Sequence, residues 1–467
     1  MLCTGGTIGM LHKVKDDPST PLVPAEWADI KESFPALAEL EKKFVVDNQE
    51  MNLIDSSDMH PGYWTDLALK IQENYASYDG FVVLHGTDTM AYTATALSFM
   101  LENLDKPVVV TGSQLPLAKA RTDAAQNLVT ALMIAASDGV PVIPEVSILF
   151  DKVLLRGNRS RKVSSNGFAG FESPNCDPLA RIGEHIDVNT KLVRKPATEG
   201  FFVSEFLEPH VLPFDIFPGV NTEILEKIFE ISGLKGVVMK TYGTGNVPTD
   251  PRFLDEIGNA VNKGIAVVNI TQCTQGMVEM GLYDASVELL RNGVISGLDM
   301  TPEAALVKTM FLLGQGYDIS TVKDQMQRNL RGEQSANVFN FVYKTGKTEN
   351  NVGILPAQQI PAGFERDKIL KANIRFEKVK IKQQEGSLNL AVFMNYPKPD
   401  ATTDTGIPQC IGVIENVSAE TDFMLDCTQK ASQVIAPGRP VQISVVAQNG
   451  NVSWGGMVLS IYTGVDE

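Results

Sequence analysis

Hydroxyl and carboxylate side chains crowd beside glycines at several points of this 467-residue chain. Thr4-Gly5-Gly6-Thr7-Ile8-Gly9 comes first; its glycines remove side-chain bulk and permit unusual dihedrals, so a small molecule can approach the backbone closely. Alone, it fits a phosphate-binding turn or an ordinary loop, and it lacks the trailing Gly-Lys-Ser/Thr of a P-loop. His85-Gly86-Thr87-Asp88-Thr89 sets a hydroxyl beside a carboxylate, where a base can activate that hydroxyl or a water. Thr87 and Asp88 fit equally as helix caps. Asp55-Ser56-Ser57-Asp58 is either a turn or a grip on an amino acid, carboxylates for its ammonium and hydroxyls and backbone N–H groups for its carboxylate. Arg156-Gly157-Asn158-Arg159-Ser160-Arg161-Lys162 is a solvated basic surface by default; within a site, one lysine lowers the pKa of a neighbouring hydroxyl. His85 can shuttle protons, but a structural place suits it better.

These groups act together only if regular elements bring them to one place. Residues 81–84 and 107–110 read as short apolar strands ending at the 85–89 and 111–114 polar clusters, and 90–101 and 124–136 carry apolar residues at helical spacing. Residues 146–150 and 153–155 flank a hairpin. Strands alternating with helices imply a mostly parallel sheet covered on both faces, with ligands at the carboxyl ends of its strands. A Pro-bearing connection over 191–215 leads to a second α/β unit, with strands at 236–240 and 265–270, a helix at 253–261, and a helix at 302–313 capped by Thr301. Beyond 345 the period becomes two, as in Leu388, Leu390, Val392 and Met394, and Asn449-Gly450 reads as a type I′ hairpin. The expected domains are 1–190, 216–345 and an antiparallel β-sandwich over 350–467 without a helix.

Composition narrows the classes. Hydrophobic residues at 43% and charged residues at 21% suit a globular protein, and no apolar stretch approaches the ~18 residues of a membrane span. Forty basic against 56 acidic residues give a net charge of −16, which repels nucleic acid and anionic membrane surfaces. Five scattered cysteines without a CxxC pair fit a reducing compartment and oppose a disulfide scaffold or structural zinc. Only three residues precede the first Gly-rich turn, where a strand of about five is expected, so the N-terminus reads as truncated.

Taken in order, the three hydroxyl-bearing motifs, Thr111-Gly112-Ser113-Gln114, Arg156-Gly157-Asn158-Arg159, Tyr242-Gly243-Thr244-Gly245-Asn246 and Asp299-Met300-Thr301 resemble the L-asparaginase family, most closely its type I, cytosolic branch. The resemblance runs from residue 1 to about 335; the tail has no recognised counterpart. It implies a two-domain α/β fold and hydrolysis of L-asparagine to aspartate and ammonia, an amidohydrolase reaction without metal or organic cofactor. Thr7 matches the nucleophile that forms a β-aspartyl enzyme, and Thr87, Asp88 and Lys162 match a second triad. Asp55, Ser56, Ser57, Thr87, Asp88 and Ser113 match substrate-gripping positions, and Asn246 matches a residue arriving from a neighbouring subunit. Lys240, Thr271, Cys273 and Thr301 fall in segments that, in some members, hold a second, activating asparagine. The implied setting is a cytoplasmic homo-oligomer, dimer or tetramer, with neither nucleic acid nor membrane as partner.

The chain departs from that pattern in three ways. No tyrosine occurs in residues 10–26, where many members carry one that assists the first threonine, and Leu22 stands at that place. The first strand is nearly absent. Lys240 replaces an expected arginine and lacks its bidentate fork. For Cys273 the expectation from residue type is a small buried hydrophobe. Two other readings remain: an ammonia-supplying component of a tRNA-dependent amidotransferase, which normally carries an extra N-terminal domain, and a binding homologue with weakened catalysis.

Overall fold

The computed structural model describes residues 1–467 except 15, 16, 18, 25–38, 40, 118, 281–283, 362, 418–420, 437, 466 and 467. The chain divides between Ser335 and Ala336 into two units.

In the first unit, Leu2–Cys3, Phe81–Leu84, Val108–Thr111 and Val146–Phe150 lie side by side as parallel strands, with Gln49–Glu50 at one edge. The sheet continues antiparallel through Val153–Arg156, Ala180–Ile182 and Ile186–Val188. Its central strands are apolar throughout because both faces are covered. Val83, Val108, Val110 and Ile148 pack toward helices Pro61–Asn74 and Met90–Met100. Val82, Leu84, Val109 and Leu149 belong to the opposite core with helix Ala124–Ala135. This alternation is the two-residue period of a strand, and it bears out the doubly covered sheet.

Four parallel strands, Val211–Asp215, Gly236–Thr241, Ala266–Thr271 and Ile295–Ser296, make the second sheet of this unit. Helix Pro302–Gly314 starts as expected, with Thr301 Oγ1 accepting from Ala304 N–H at 3.1 Å and Pro302 in its first turn. It packs against helix Met90–Met100, where Phe99 and Phe311 stack with centroids 5.5 Å apart. One apolar cluster therefore runs from Val83 and Leu97 through Ala304 and Val307 to Val238 and Val268, and joins the two sheets' cores. Each large side chain so buried contributes roughly 1.5–3 kcal/mol.

The second unit is antiparallel. Strand Ile369–Met394 pairs first with Gly456–Gly464 and Thr421–Asp426, then with Ile443–Trp454 and Cys410–Ile414. The change of partner falls around Lys378, whose φ is 49°. Both groups of strands send residues into one core that includes Phe376, Leu390, Val392, Val445 and Leu459. Strand Ala336–Tyr343 pairs along its length with Gly456–Gly464, so the unit begins ahead of the boundary expected at 345. Asn449-Gly450 is not a hairpin turn. Ile443–Trp454 passes straight through it, and the extra residues between Gln384 and Asn389 bulge opposite it, with Asn449 Nδ2 donating to Ser387 O at 2.9 Å. Nor does the chain reverse at Gly455: Gly456–Gly464 continues in the same direction and register along Ile369–Met394. The tail also holds a seven-residue helix, Thr428–Val434, which the strand-only expectation omits.

Candidate active site

The threonine-bearing turns stand at the carboxyl ends of adjacent parallel strands. Leu2–Cys3 runs into Thr4–Gly9 and Phe81–Leu84 runs into His85–Thr89, and Cys3 is in register with Leu84. The short first strand is fastened on both sides: Thr4 N–H and Oγ1 donate to Leu84 O at 3.0 Å, and Met51 N–H donates to Cys3 O at 3.2 Å. At Gly6, with φ 89°, a Cβ would lie 2.4 Å from Gly86 N; at Gly86, 2.5 Å from Ser56 Oγ. Only glycine lets the three segments 4–9, 55–58 and 85–89 meet at this separation.

Lys162 arrives from the two-residue strand Arg161–Lys162, which pairs with Phe171–Glu172. Its Nζ donates to Thr87 Oγ1 at 2.8 Å and to Asp88 Oδ1 at 2.6 Å. Lys162 is 19% exposed and Asp88 67%, so the pair opens toward solvent. Thr7 is half-buried, and its hydroxyl has no hydrogen-bond partner among the described residues. Leu22 lies in Leu22–Pro24, paired with Met10–His12; its side chain is outside the described residues.

Asp55 holds its own loop. Its carboxylate accepts from Ser57 Oγ at 2.6 Å and Ser57 N–H at 2.8 Å, and these bonds keep it below the usual carboxylate range. Ser56 is buried, and its carbonyl accepts from Thr89 Oγ1 at 2.7 Å, which ties this loop to the second threonine turn. Ser113 is buried at the end of Val108–Thr111, and its Oγ has no partner among the described residues. An orphaned buried hydroxyl at a strand terminus is an exception that a bound polar group would remove.

His85 is fully buried, and burial pushes it down to about 4. Trp64 Nε1–H donates to Thr93 Oγ1 at 2.9 Å, Thr93 lies 2.8 Å from His85 Nε2, and His85 Nδ1 lies 2.6 Å from Gly86 O. The carbonyl partner assigns the proton to Nδ1. A neutral His85 thus anchors the carbonyl just before Thr87.

The second-sheet residues are not brought into hydrogen-bond contact with Thr7, Thr87 or Lys162. Asn246 closes the Tyr242–Asn246 turn after Gly236–Thr241, and its Oδ1 is buried without a partner among the described residues. Lys240 pairs with Asp215 at 2.6 Å. Thr271 Oγ1 accepts from Cys273 N–H at 3.0 Å, and Thr301 caps its helix. Cys273 is exposed, contrary to the buried place expected for it, because it follows the last residue of Ala266–Thr271 in an open turn. Sequence reading passes over Glu303. It is buried in the first turn of helix Pro302–Gly314, raised above its usual range by burial, and within the fields of Arg161 and Lys240. An acid there reads as a helix-dipole charge, so sequence alone gives no other signal.

The family model described as asparaginase, N-terminal, matches residues 1–194, and that of the glutaminase/asparaginase C-terminal domain matches 210–326. The chain is 42% identical to L-asparaginase 1 of Escherichia coli (strain K12) over 335 residues, 71% of this chain and 96% of that protein. It is 36% identical to a glutamyl-tRNA(Gln) amidotransferase component of Pyrococcus abyssi over 344 residues, 71% and 75% of the two chains. The crystal structure of L-asparaginase I from Vibrio cholerae superposes with a TM-score of 0.63 at 41% identity, covering 72% of this chain and 98% of that one.

Proposed function

The chain belongs to the asparaginase family and is an amidohydrolase; from that premise we propose that it hydrolyses L-asparagine to L-aspartate and ammonia by double displacement. Thr7 Oγ attacks the side-chain amide carbon, the C–N bond breaks, and the nitrogen leaves as ammonia after taking a proton. A β-aspartyl ester on Thr7 remains. Water then attacks the ester carbon beside Thr87, and aspartate leaves as Thr7 regains its proton. A threonine hydroxyl needs a neighbour to manage that proton. Lys162, donating to Thr87 Oγ1 at 2.8 Å, stabilises this oxygen as its proton moves, and Asp88 holds the ammonium. Asp55, Ser56, Ser57 and Asp88 grip the α-amino and α-carboxylate groups, with Ser113 completing the pocket. Asn246 acts from a neighbouring subunit of a homo-oligomer. The carboxyl edge of the second sheet, with Lys240, Thr271, Cys273 and Thr301, is the place for a second, activating asparagine.

The observation that carries this reading is the Lys162–Thr87–Asp88 contact, one glycine-to-glycine approach away from Thr7. Ammonia release by Thr7→Ala, Thr87→Ala and the double variant tests it. Each single change nearly abolishes turnover, and the double is little worse, because groups acting as one unit are non-additive. Thr7→Ala retaining more than about a tenth of the rate leaves less than ~1.4 kcal/mol to that hydroxyl and rejects it as nucleophile. The likeness to an amidotransferase component favours a second reading; ammonia from glutamine but not from asparagine would select it.

A further inference from the structure

We propose that the first unit holds a further ligand site, distinct from the threonine turns and from the edge of the second sheet: a small cleft that binds a tetrahedral oxyanion of the phosphate type. The cleft has a volume of about 70 Å³, and Glu145, Arg156, Arg194, Lys195 and Arg331 contribute to its lining. At about 10–15 Å³ of such volume per water, it holds roughly five waters, enough for a tetrahedral oxyanion and too little for a nucleotide.

Its charges do not balance from within. Arg156, 5% exposed, is held by Glu145 Oε2 at 2.6 Å and by Leu192 O at 2.5 Å. The other oxygen of Glu145 accepts from Arg194 N–H at 3.0 Å. Arg331 pairs with Glu102 through one terminal nitrogen, while its Nε is buried without a hydrogen-bond partner among the described residues. The half-buried guanidinium of Arg194 has no ion pair or hydrogen bond among the described residues, and Lys195 stands exposed beside it. Burial pushes Arg194 below the usual guanidinium value; Glu145 and, less strongly, Glu333 oppose that shift, while Arg331 and Arg156 add to it.

Arg156, Arg194, Lys195 and Arg331 thus meet Glu145, Glu102 and Glu333, the last already paired with Lys308, in a chain whose net charge is −16. Arg156 and Arg331 have structural partners; Arg194 and Lys195 supply the excess. Holding cations together in a partly dry cleft is costly, and an anion removes the cost. The guanidinium fork matches two oxygens of a phosphate-like group, which selects a tetrahedral oxyanion over a halide.

Calorimetric titration of the full chain with inorganic phosphate, against sodium chloride of equal ionic strength, tests this. Saturable binding of one phosphate per chain is expected, with a melting temperature that rises with phosphate and not with chloride. Arg194→Met/Lys195→Met should weaken phosphate binding by on the order of tenfold or more. Arg194→Lys keeps the charge but loses the fork and should weaken it several-fold, a variant that serves should the double one fail to fold. Lys162→Met, altered at the threonine turns, should bind phosphate as the unaltered chain does, which separates this site from the catalytic reading. Absence of saturable phosphate binding over chloride overturns the proposal. So does an unchanged dissociation constant in the folded Arg194 variants.

Discussion

Lys162 touches two side chains that sequence separates from it by more than 70 residues, Thr87 at 2.8 Å and Asp88 at 2.6 Å. On the proposed mechanism its charge matters while a proton moves and little in the ground state. Lys162→Met should therefore lower kcat by roughly 10²–10⁴-fold and leave KM nearly unchanged, as steady-state ammonia release would show. A raised KM at constant kcat would instead make Lys162 a substrate clamp. His85 gives a prediction of a different kind. Folded, it titrates at about 4, against about 6.5 in an unfolded chain. Between those values the unfolded chain binds the extra proton. Its contribution is thus fully present above about pH 6.5 and is lost as pH falls toward 4, by up to about 3 kcal/mol. Thermal melting from pH 7 to 4.5 should show a shallower decline for His85→Gln than for the unaltered chain; parallel declines would exclude His85 as the cause.

Turns, more than strands, set the separations at this site. Gly6 has φ 89°, and a Cβ there lies 2.4 Å from Gly86 N. Gly6→Ala must push the two threonine turns apart, and a displacement of about 1 Å at a reacting group costs on the order of 10²-fold in rate. Gly139→Ala provides the contrast, because φ there is 74° but nothing lies within 4 Å of the added carbon. It should carry only the left-handed backbone cost of roughly 1–2 kcal/mol, visible in melting and not in turnover. Equal activity in the two variants would mean that close approach of the turns is unimportant. The turn Gly157–Arg159 ahead of Lys162 is also anchored: Arg159 Nη2 donates to Asp299 Oδ2 at 2.9 Å within a pair about 5% exposed. Asp299→Ala strands a buried guanidinium and should cost about 3–5 kcal/mol in denaturant unfolding.

On the scale of the whole molecule, every candidate site residue lies before Ala336. The place to divide the chain is narrow. Ser335 N–H and Oγ donate to Asp299 at 2.9 and 2.6 Å, so Ser335 must stay with the first unit. Strand Ala336–Tyr343 carries Phe339 and Phe341 into the core of the second. A chain ending at Ser335 should fold and keep its specific activity within about twofold, as expected of a unit with its own core. One ending at 345 should be less soluble, because it exposes an unpaired apolar strand. Activity and sedimentation of both cut chains check this; an inactive, soluble 1–335 would give the β-unit a part in catalysis.

Much of this was legible in the residues. Short apolar runs mark strands at 81–84, 107–110 and 236–240, because both faces of each are covered, and period 3.6 marks the helices after them; the structure has the strands at 81–84, 108–111 and 236–241. The Thr301-Pro302 helix start is local chemistry and reads directly. Local signals fail where distant partners decide. Asn449-Gly450 has the composition of a tight turn, yet pairing with Ile369–Met394 on both sides of it holds it inside a strand. Cys273 has the residue type of a core position, but its place one turn beyond a strand exposes it. Motif order marked Thr7, Thr87, Asp88 and Lys162 individually. Their assembly depends on adjacent parallel strands delivering two turns to one edge, on glycines that let backbones touch, and on Lys162 reaching across from a separate strand. Those are long-range contacts, and so is the gathering of Arg156, Arg194 and Arg331 at one cleft: no window of sequence contains them, and only the tertiary structure fixes their distances.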